Sequence, residues 1–297
     1  VLTSIRNEVD FTIKESVENF FNEKKPSVVF LAAARVGGIH ANNQYPVESL
    51  CENLKIQLNI IEAAHKFHVH RLIFLGSSCI YPRDCPQPIR EEYLLDGKLE
   101  ITNRPYALAK IAGLEQINSL RRQHGLDYFS VMPTNLYGDY DNFHPEYSHV
   151  VAALIRKCYE AKKTDAKQIN LWGSGKALRE FMHAEECADA ITFLAENLSE
   201  TYFEEKDNPY KYSHINIGSG QEVSILNLLE ILIDISGINV ELIFDRTKPD
   251  GTFQKLLDCS LLQELGWNSQ MSLYEGLKKA YSWYENAVIN EHIAFRN

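Results

Sequence analysis

Two hydrophobic periodicities alternate through the N-terminal half of the chain. Short apolar runs predict buried strands, and longer stretches with an apolar residue every three or four positions predict helices between them. The predicted strands are 28–34, 71–75 and 128–132, and the predicted helices are 12–24, 47–66 and 106–124. Nearly all-apolar strands that alternate with helices indicate an α/β fold, with a Rossmann-type, doubly wound parallel sheet covered on both faces.

The pattern loosens beyond about residue 140. The predicted helices there are 149–163, 224–235 and two that start at 184 and 272, and the predicted strands are 169–172, 214–217 and 240–244. The polar stretch 200–211 is expected to be a surface excursion. We expect 1–140 to form the Rossmann-like domain and 141–297 to form mainly a smaller mixed α/β lobe that caps it, with some segments returning to the main sheet.

Composition narrows the class of protein. The chain has 297 residues, of which 45% are hydrophobic and 24% charged, as in a water-soluble globular protein. Its formal net charge of -10 argues against nucleic acid or an anionic membrane surface as a partner. No apolar run is long enough to span a bilayer, and the N-terminus lacks a signal-peptide layout. The six cysteines contain no C-x-x-C pair, so we expect no zinc site and a reducing, cytoplasmic environment.

Three small nucleophilic side chains follow the predicted strand 71–75. Gly76 is followed by Ser77, Ser78 and Cys79, and a second strand leads into Pro133-Thr-Asn-Leu-Tyr137. Open parallel sheets bind ligands at the carboxyl ends of their strands, which makes both stretches candidates for a site. A polar exit from strand to loop is the alternative.

Tyr106 and Lys110 lie one helical turn apart, so their side chains share a face. A free tyrosine has a pKa near 10, and a neighbouring ammonium favours the phenolate and lowers that pKa. The Tyr-x-x-x-Lys spacing alone is common and often accidental. Together with Ser77 it predicts a carbonyl-reducing triad, in which both hydroxyls hold one carbonyl oxygen and the tyrosine supplies the proton.

These residues carry a resemblance to a known family. The Ser and Tyr-x-x-x-Lys pairing resembles the extended short-chain dehydrogenase/reductase superfamily. Within it, the chain is similar to the GDP-L-fucose synthase family over nearly its whole length. The stretches that carry this similarity are LAAARVGGIHANN (31–43), GSSCIYP (76–82), YALAKIAG (106–113), VMPTNLYG (131–138), DNFHPEYSHV (141–150), LWGSGKALREFMH (171–183) and KPDGTFQKLLD (248–258).

The resemblance implies a bifunctional enzyme. C3 and C5 of GDP-4-dehydro-6-deoxy-D-mannose would be epimerised, and the ketone would then be reduced by NADPH to give GDP-L-fucose. Cys79 matches the family's base and His149 its acid, and a thiol and an imidazole both titrate within reach of neutral pH. Taken alone, Cys79 would be a small buried hydrophobe and His149 a helix cap or surface residue. In an extended chain residues 77 and 79 would share a face while Ser78 points elsewhere.

The resemblance also implies the ligand contacts and the assembly. NADP(H) would contact Arg6, Leu75, Gly76, Ser77, Ser78, Lys110, Pro133, Thr134, Asn135, Leu136 and His149. The GDP-sugar would contact Lys157, Trp172 and Arg179, where a planar guanidinium suits diphosphate oxygens. Relatives pair into homodimers through the helices 47–66 and 106–124. No metal is expected. We expect His144 to be structural, and His183 and the Glu185-Glu186 pair to cap a helix.

One family feature is absent from the sequence. Superfamily members open with a strand and a Gly-x-x-Gly-x-x-Gly turn that holds the cofactor pyrophosphate, and here Val1 aligns with their second strand. Arg6 would then face the 2'-phosphate of NADPH, or it is a solvated charge. A gene fragment, a shortened form and a natural homologue without cofactor binding are all open. For the chain as written we expect weak NADPH binding or none.

Two rival interpretations stay open. A related nucleotide-sugar 4-epimerase or dehydratase is one, although dehydratases usually carry an acidic residue near the serine, where this chain has Ser-Ser-Cys. The other is a non-catalytic sugar-nucleotide-binding protein. The missing glycine turn favours it, and the retention of all five predicted catalytic residues argues against it.

Overall fold

A computed structural model describes residues 8–204, 213–247 and 251–290. Within these ranges the helices are α1 (Lys14–Lys24), α2 (Ile39–Gln44), α3 (Pro46–Lys66), α4 (Arg104–His124), α5 (Val150–Thr164), α6 (Ala184–Asn197), α7 (Ile225–Ser236), α8 (Ser260–Glu264) and α9 (Leu273–Ile289). The strands are β1 (Val28–Leu31), β2 (Arg71–Leu75), β3 (Asp127–Pro133), β4 (Asn135–Tyr137), β5 (Gln168–Trp172), β6 (Leu178–His183), β7 (His214–Ile217), β8 (Glu222–Ser224), β9 (Glu241–Asp245) and β10 (Gln254–Lys255).

The main sheet has the order β1-β2-β3-β7, and every pair in it is parallel. Successive residues of β2 point to opposite layers. Leu72 and Phe74 pack into the cluster that contains residues of α1, α3 and α4, while Ile73 packs into the cluster that contains residues of α6. Helices therefore cover both faces, and the predicted doubly wound α/β class is confirmed.

The remaining strands form two smaller sheets. One has the order β10-β6-β4, with β8 antiparallel to β6, and the other pairs β5 with β9 in parallel. Residues of α5, α7 and α9 form the core beside them, with Leu154, Leu229 and Leu277 almost fully buried. β6 is thus a junction strand, because it pairs with β4 directly after the main sheet and with β10 near the end of the described chain.

Several element boundaries differ from the sequence prediction. The first strand ends at Leu31 rather than at residue 34, and β4, β6, β8 and β10 were not predicted. α4 starts two residues before Tyr106, since Pro105 in its first turn has the fixed φ that a helix start favours. It ends at His124, and the next residue, Gly125, has a φ of 66°, a left-handed value that favours glycine.

Two further observations concern the helices and the cysteines. None of the helices in the described ranges combines the length and apolar composition needed to cross a bilayer. All six cysteines are free thiols; Cys51 is exposed, and Cys158, Cys187 and Cys259 are buried.

Candidate active site

The turn after β2 presents Ser77 and Cys79 at the carboxyl end of the sheet. The Gly76 amide donates to the Val131 carbonyl at 2.9 Å, so the turn stays attached to β3. A Cβ on Gly76 would lie 2.3 Å from the Met132 Sδ, so only glycine fits without displacing that buried side chain. The close approach of the turn to β3 therefore explains the glycine in the GSSC motif.

The backbone of this turn differs from the extended chain expected from the sequence. Ser78 begins a single 3₁₀ turn that ends at Ile80, and the Ser77 hydroxyl caps it by accepting the Cys79 amide at 3.3 Å. Ser77 and Cys79 are nevertheless both partly exposed while Ser78 is buried. A tight turn, rather than strand alternation, separates Ser78 from its neighbours.

The surroundings of the Cys79 thiol disfavour its ionised form. Burial raises the pKa of the thiol above its ordinary value, although Lys255, a hydrogen bond with Ser77, and Lys110 act in the opposite direction. The sequence predicted a thiol that titrates within reach of neutral pH, but burial outweighs the nearby cations, so Cys79 is mainly a protonated thiol at neutral pH.

Tyr106 and Lys110 extend from the first two turns of α4 into the same region. Both are buried, and the Lys110 Nζ lies 5.8 Å from the centre of the Tyr106 ring. The Lys110 ammonium donates to the Leu75 carbonyl at 2.7 Å, which ties α4 to the last residue of β2. The side chains of the predicted triad thus approach the Ser77 turn from the neighbouring helix.

The pKa of Tyr106 departs from the sequence expectation. We expected Lys110 to lower it, but burial raises the pKa of the phenol and the nearby Cys79 raises it further. Burial also lowers the pKa of Lys110, to about 8. Tyr106 is therefore protonated at neutral pH, which suits a proton donor better than a base.

The predicted cofactor contacts occupy the ends of neighbouring strands. Leu75 pairs with Val131 in the parallel register, and Pro133 ends β3. The Thr134 amide donates to the Ile217 carbonyl at 2.9 Å. The residues predicted at 75–78 and 133–136 thus share one edge of the sheet. Arg6 lies outside the described residues.

His149 lies at the end of the loop that leads into α5. It is the exposed N-cap residue of α5, and its side chain makes no capping hydrogen bond. A Cβ on Gly38 would lie 2.9 Å from the Ser148 carbonyl oxygen, so the loop after β1 closes against this segment. Within the part of the chain that the structure describes, no hydrogen bond or ion pair joins His149 to the Cys79 turn, and its part in the chemistry stays a prediction.

The predicted substrate residues fall in two places. The Lys157 ammonium donates to the Asn170 carbonyl at 2.8 Å and lies 5.6 Å from the centre of the Trp172 ring, which is 57% exposed. Arg179 lies on β6, where its guanidinium donates to the Leu178 carbonyl at 2.7 Å. An exposed aromatic ring beside a cation suits contact with a nucleobase, and a guanidinium suits the oxygens of a diphosphate.

Four polar residues outside the site match their predicted structural roles. The His183 Nδ1 accepts the Glu185 amide at the start of α6, and Glu185 and Glu186 lie in its first turn. The His144 Nδ1 accepts the Glu146 and Tyr147 amides at 3.1 and 3.3 Å. These imidazoles hold backbone turns, as the sequence suggested.

One group of potential metal ligands has a simpler explanation. His70, Asp127 and Glu200 bring their ligand atoms within 4.8 Å of one another. Asp127 already pairs with Arg71 at 2.5 Å and with Arg121 at 3.7 Å. Two guanidinium groups repel a metal ion, so we assign this cluster to ion pairing.

Sequence reasoning missed Glu180 and Lys255. Glu180 is fully buried on β6 and accepts the Gly220 amide at 2.7 Å and the Leu257 amide at 3.1 Å. Its own carbonyl accepts the Asn135 side-chain amide at 2.8 Å, which adds a side-chain hydrogen bond to the pairing of β6 with β4. Charged residues inside the stretches REF and QKLLD were the available signal, and no local spacing ranked them above surface charges.

Comparison with known proteins agrees with this architecture. The profile of the NAD dependent epimerase/dehydratase family matches residues 3–218. "GDP-L-fucose synthase 1" of Arabidopsis thaliana is 50% identical over 283 residues, which cover 95% of this chain and 84% of that protein. "GDP-L-fucose synthase" of Escherichia coli (strain K12) is 46% identical over 279 residues, covering 94% and 86% of the two chains.

A solved structure of a related reductase has a fold similar to that of this chain. The GDP-mannoheptose C4 reductase MlghC from Campylobacter jejuni, solved with NADP bound, matches with a TM-score of 0.85 and 33% identity. The match covers 96% of this chain and 89% of that one.

Proposed function

This chain belongs to the NAD dependent epimerase/dehydratase family, and we propose that it is a GDP-L-fucose synthase. It would convert GDP-4-dehydro-6-deoxy-D-mannose to GDP-L-fucose by 3,5-epimerisation and NADPH-dependent reduction at C4. The observation that carries the proposal is the identity of 50% and 46% to GDP-L-fucose synthases along almost the whole chain. The grouping of Ser77, Cys79, Tyr106 and Lys110 at one edge of the sheet supports it.

The donor set fits a nicotinamide cofactor. A lysine ammonium has three protons, and Lys110 donates one of them to the Leu75 carbonyl, so it retains two donors for ribose hydroxyls. We propose that residues 75–78, Lys110 and residues 133–136 hold NADP(H), with Arg6 and His149 as further contacts. When bound, the cofactor supplies the hydride that reduces C4.

Epimerisation requires removal of a proton next to the C4 ketone. In our proposal the Cys79 thiolate takes the proton from C3 or C5, and the electron pair moves to the C4 oxygen. The Ser77 and Tyr106 hydroxyls donate to that oxygen and stabilise its negative charge. His149 then returns a proton on the opposite face, which inverts the carbon. The raised pKa of Tyr106 keeps its proton available for the C4 oxygen during reduction.

In our proposal, residues of the capping lobe bind the substrate. Arg179 would hold the diphosphate in a bidentate fashion, and Trp172 and Lys157 would contact the rest of the GDP-sugar. Their support is the exposed Trp172 ring with Lys157 beside it and the position of Arg179 on β6.

We also propose a cytoplasmic homodimer. α3 and α4 pack against each other and leave Val47, Leu58 and Leu108 exposed, at 66%, 41% and 46%. Exposed apolar side chains on two helices that pack together are typical of a helix–helix interface between copies. Leu108→Glu should convert the dimer to monomer in light scattering, with Glu115→Gln on the same helix as control. A monomeric wild-type protein would refute the dimer.

The experiment for the activity combines two readouts. Purified protein with NADPH and GDP-4-dehydro-6-deoxy-D-mannose should oxidise NADPH, followed optically, and yield GDP-L-fucose in chromatography. Tyr106→Phe removes the proton donor and should lower kcat about 10²–10⁴-fold. A reduced product with unchanged C3 and C5 would identify a simple C4 reductase instead. No turnover together with tight GDP-sugar binding would favour the non-catalytic interpretation.

A further inference from the structure

The hydroxyl of Tyr81 anchors the end of the Ser77–Cys79 turn. Tyr81 follows the single 3₁₀ turn and is buried, and its amide donates to the Ser78 carbonyl at 3.5 Å. Its hydroxyl donates to the Asn216 Oδ1 at 2.6 Å and lies 3.1 Å from the His214 Nε2. Both partners belong to β7, the strand next to β3 in the main sheet. Tyr81 thus joins the turn, which follows β2 and is attached to β3, to a third strand.

Each hydrogen-bonding group at this junction has a defined role. A phenol has a single proton, and Tyr81 donates it to Asn216, so its oxygen accepts from the Nε2–H of His214. Burial lowers the pKa of His214 to about 3, which keeps the imidazole neutral at neutral pH. The Asn216 side-chain nitrogen donates to the Ile89 and Asp258 carbonyls at 3.0 and 3.1 Å, so its oxygen faces Tyr81. Two hydrogen bonds of opposite sense therefore hold the Tyr81 oxygen in one position.

β7 is the rigid side of this junction. All of its residues pair in parallel with the last residues of β3, and both His214 and Asn216 are fully buried. The Asn216 backbone amide also donates to the Glu91 carboxylate at 2.9 Å. The other side is a single 3₁₀ turn, whose hydrogen bonds have poorer geometry than those of an α-helix. Removal of the Tyr81 hydroxyl would leave the buried Asn216 oxygen without this donor, and the turn would move rather than the strand.

Cys79 lies between two anchored points of the chain. Before it, the Gly76 amide donates to the Val131 carbonyl on β3, and after it the Tyr81 hydroxyl is bound to β7. Ser77 is adjacent to the first anchor, whereas Cys79 is closer along the chain to the second. The direction of the Cys79 side chain therefore depends on Tyr81 more than that of Ser77 does.

Resting on the proposed function, we infer that Tyr81 is a positioning residue of the epimerisation, whose hydroxyl fixes the end of the turn and so holds the Cys79 sulfur at the carbon that loses its proton. The Cys79 thiolate takes that proton from C3 or C5 and becomes a thiol, while the electron pair moves to the C4 oxygen. Tyr81 neither gains nor loses a proton in this step. A sulfur displaced by about 1 Å would slow the proton transfer on the order of 10²-fold and would leave the residues that bind the nucleotide in place.

Amide hydrogen exchange tests the anchor without cofactor or substrate. The full chain is compared with Tyr81→Phe, which keeps the ring and loses only the hydroxyl, and exchange is read by mass spectrometry in peptides that cover 76–82. The amides of the turn should exchange at least about tenfold faster in Tyr81→Phe, because opening no longer breaks the bonds to β7. Tyr128→Phe is the matched control, since it removes another buried hydroxyl, which donates to the Val69 carbonyl at 3.1 Å near the amino ends of β2 and β3. It should leave exchange in the turn unchanged.

Deuterium incorporation tests the role in the reaction. In D₂O with GDP-4-dehydro-6-deoxy-D-mannose and no NADPH, the wild-type protein should incorporate deuterium at C3 and C5 of the sugar, as read by NMR. In Tyr81→Phe the maximal rate of incorporation should fall at least about tenfold, while KM changes by less than about twofold. Tyr128→Phe should keep both constants within about twofold of the wild-type values. Equal losses of rate in the two variants would assign the effect to a general loss of stability and would overturn the inference.

A second variant decides the result if Tyr81→Phe does not fold by circular dichroism. His214→Leu removes one of the two hydrogen bonds to the Tyr81 oxygen and should change both readouts in the same direction, by a smaller factor. Unchanged amide exchange of the turn in the folded variant would overturn the inference, and so would faster exchange with a wild-type rate of deuterium incorporation.

The outcome is distinguishable from failure of the proposed function. If the wild-type protein incorporates no deuterium but the turn opens in Tyr81→Phe, the anchor stands, and the reaction assignment falls together with the role of Tyr81 in it. If the wild-type protein incorporates deuterium and Tyr81→Phe matches its rate, the reaction assignment stands and the role of Tyr81 falls.

Discussion

Replacement of Gly76 by alanine tests the geometry of the Ser77–Cys79 turn. The added methyl would lie 2.3 Å from the Met132 Sδ and 3.3 Å from the Val131 carbonyl oxygen. Gly76 does not have a positive φ, so the cost comes from contact and not from backbone strain. The Met132 thioether is flexible but fully buried, and it has little room to move aside.

The expected cost follows from overpacking in a filled core. Extra methylenes in such a site typically cost about 1–3 kcal/mol of stability, and we expect a value in that range for Gly76→Ala. A turn displaced by about 1 Å would also lower kcat on the order of 10²-fold. Urea unfolding followed by circular dichroism measures the first quantity, and NADPH oxidation with the 4-keto sugar measures the second.

A double-mutant cycle identifies the contact. Met132→Ala removes the sulfur and the terminal methyl, and alone it should cost about 2–5 kcal/mol. In that background Gly76→Ala should cost less than about 0.5 kcal/mol, since the added methyl then has space. Lys163→Ala, at an exposed position of α5, is the control and should change stability by no more than about 0.5 kcal/mol. A Gly76→Ala protein as stable and active as wild type, or equal costs in both backgrounds, would refute the reasoning.

Two further predictions concern buried charges. Burial lowers the pKa of Lys110 to about 8 in the native state, and the unfolded value is about 10.4. Between these two pH values the native state binds fewer protons than the unfolded state. Lys110 therefore makes the free energy of unfolding rise with pH in that window. The free energy of unfolding of wild type relative to Lys110→Met should therefore increase from pH 7.5 to 9.5 in urea titrations, and a constant difference would contradict this. Asp127→Asn leaves the buried Arg71 guanidinium without the carboxylate that lies 2.5 Å from it, and it should lower the free energy of unfolding by about 3–5 kcal/mol. Glu62→Gln breaks the exposed pair with Lys14 and should lower it by less than about 1 kcal/mol. Similar losses of stability in the two variants would contradict the argument from burial.

The sequence predicted most of the main sheet because its strands and helices have distinct local periods. The strand 71–75 was predicted with its observed bounds, and the helix 106–124 differs by two residues at its start. The short strands β4, β8 and β10 were missed, since two or three residues are too few to show a period. β6 was missed because its burial depends on pairing with β4 and β10, which are distant in sequence.

The candidate site was predictable in its residue types and less so in its electrostatics. The motif carried Ser77, Cys79, Tyr106 and Lys110, and these side chains do lie near one another. Burial raises the pKa of the Cys79 thiol, and no local pattern encodes that burial. The raised pKa of Tyr106 also escaped prediction, because burial is a property of the packed chain rather than of the Tyr-x-x-x-Lys spacing.

Proton exchange with the solvent tests the shared keto-sugar site most directly. In D₂O, GDP-L-fucose formed by the wild-type protein should carry deuterium at both C3 and C5, as read by NMR. Folded Cys79→Ala and His149→Gln variants should incorporate deuterium at these carbons at least about 100-fold more slowly, since each removes one of the two proton-transfer groups. Wild-type rates of incorporation in both variants would contradict the account.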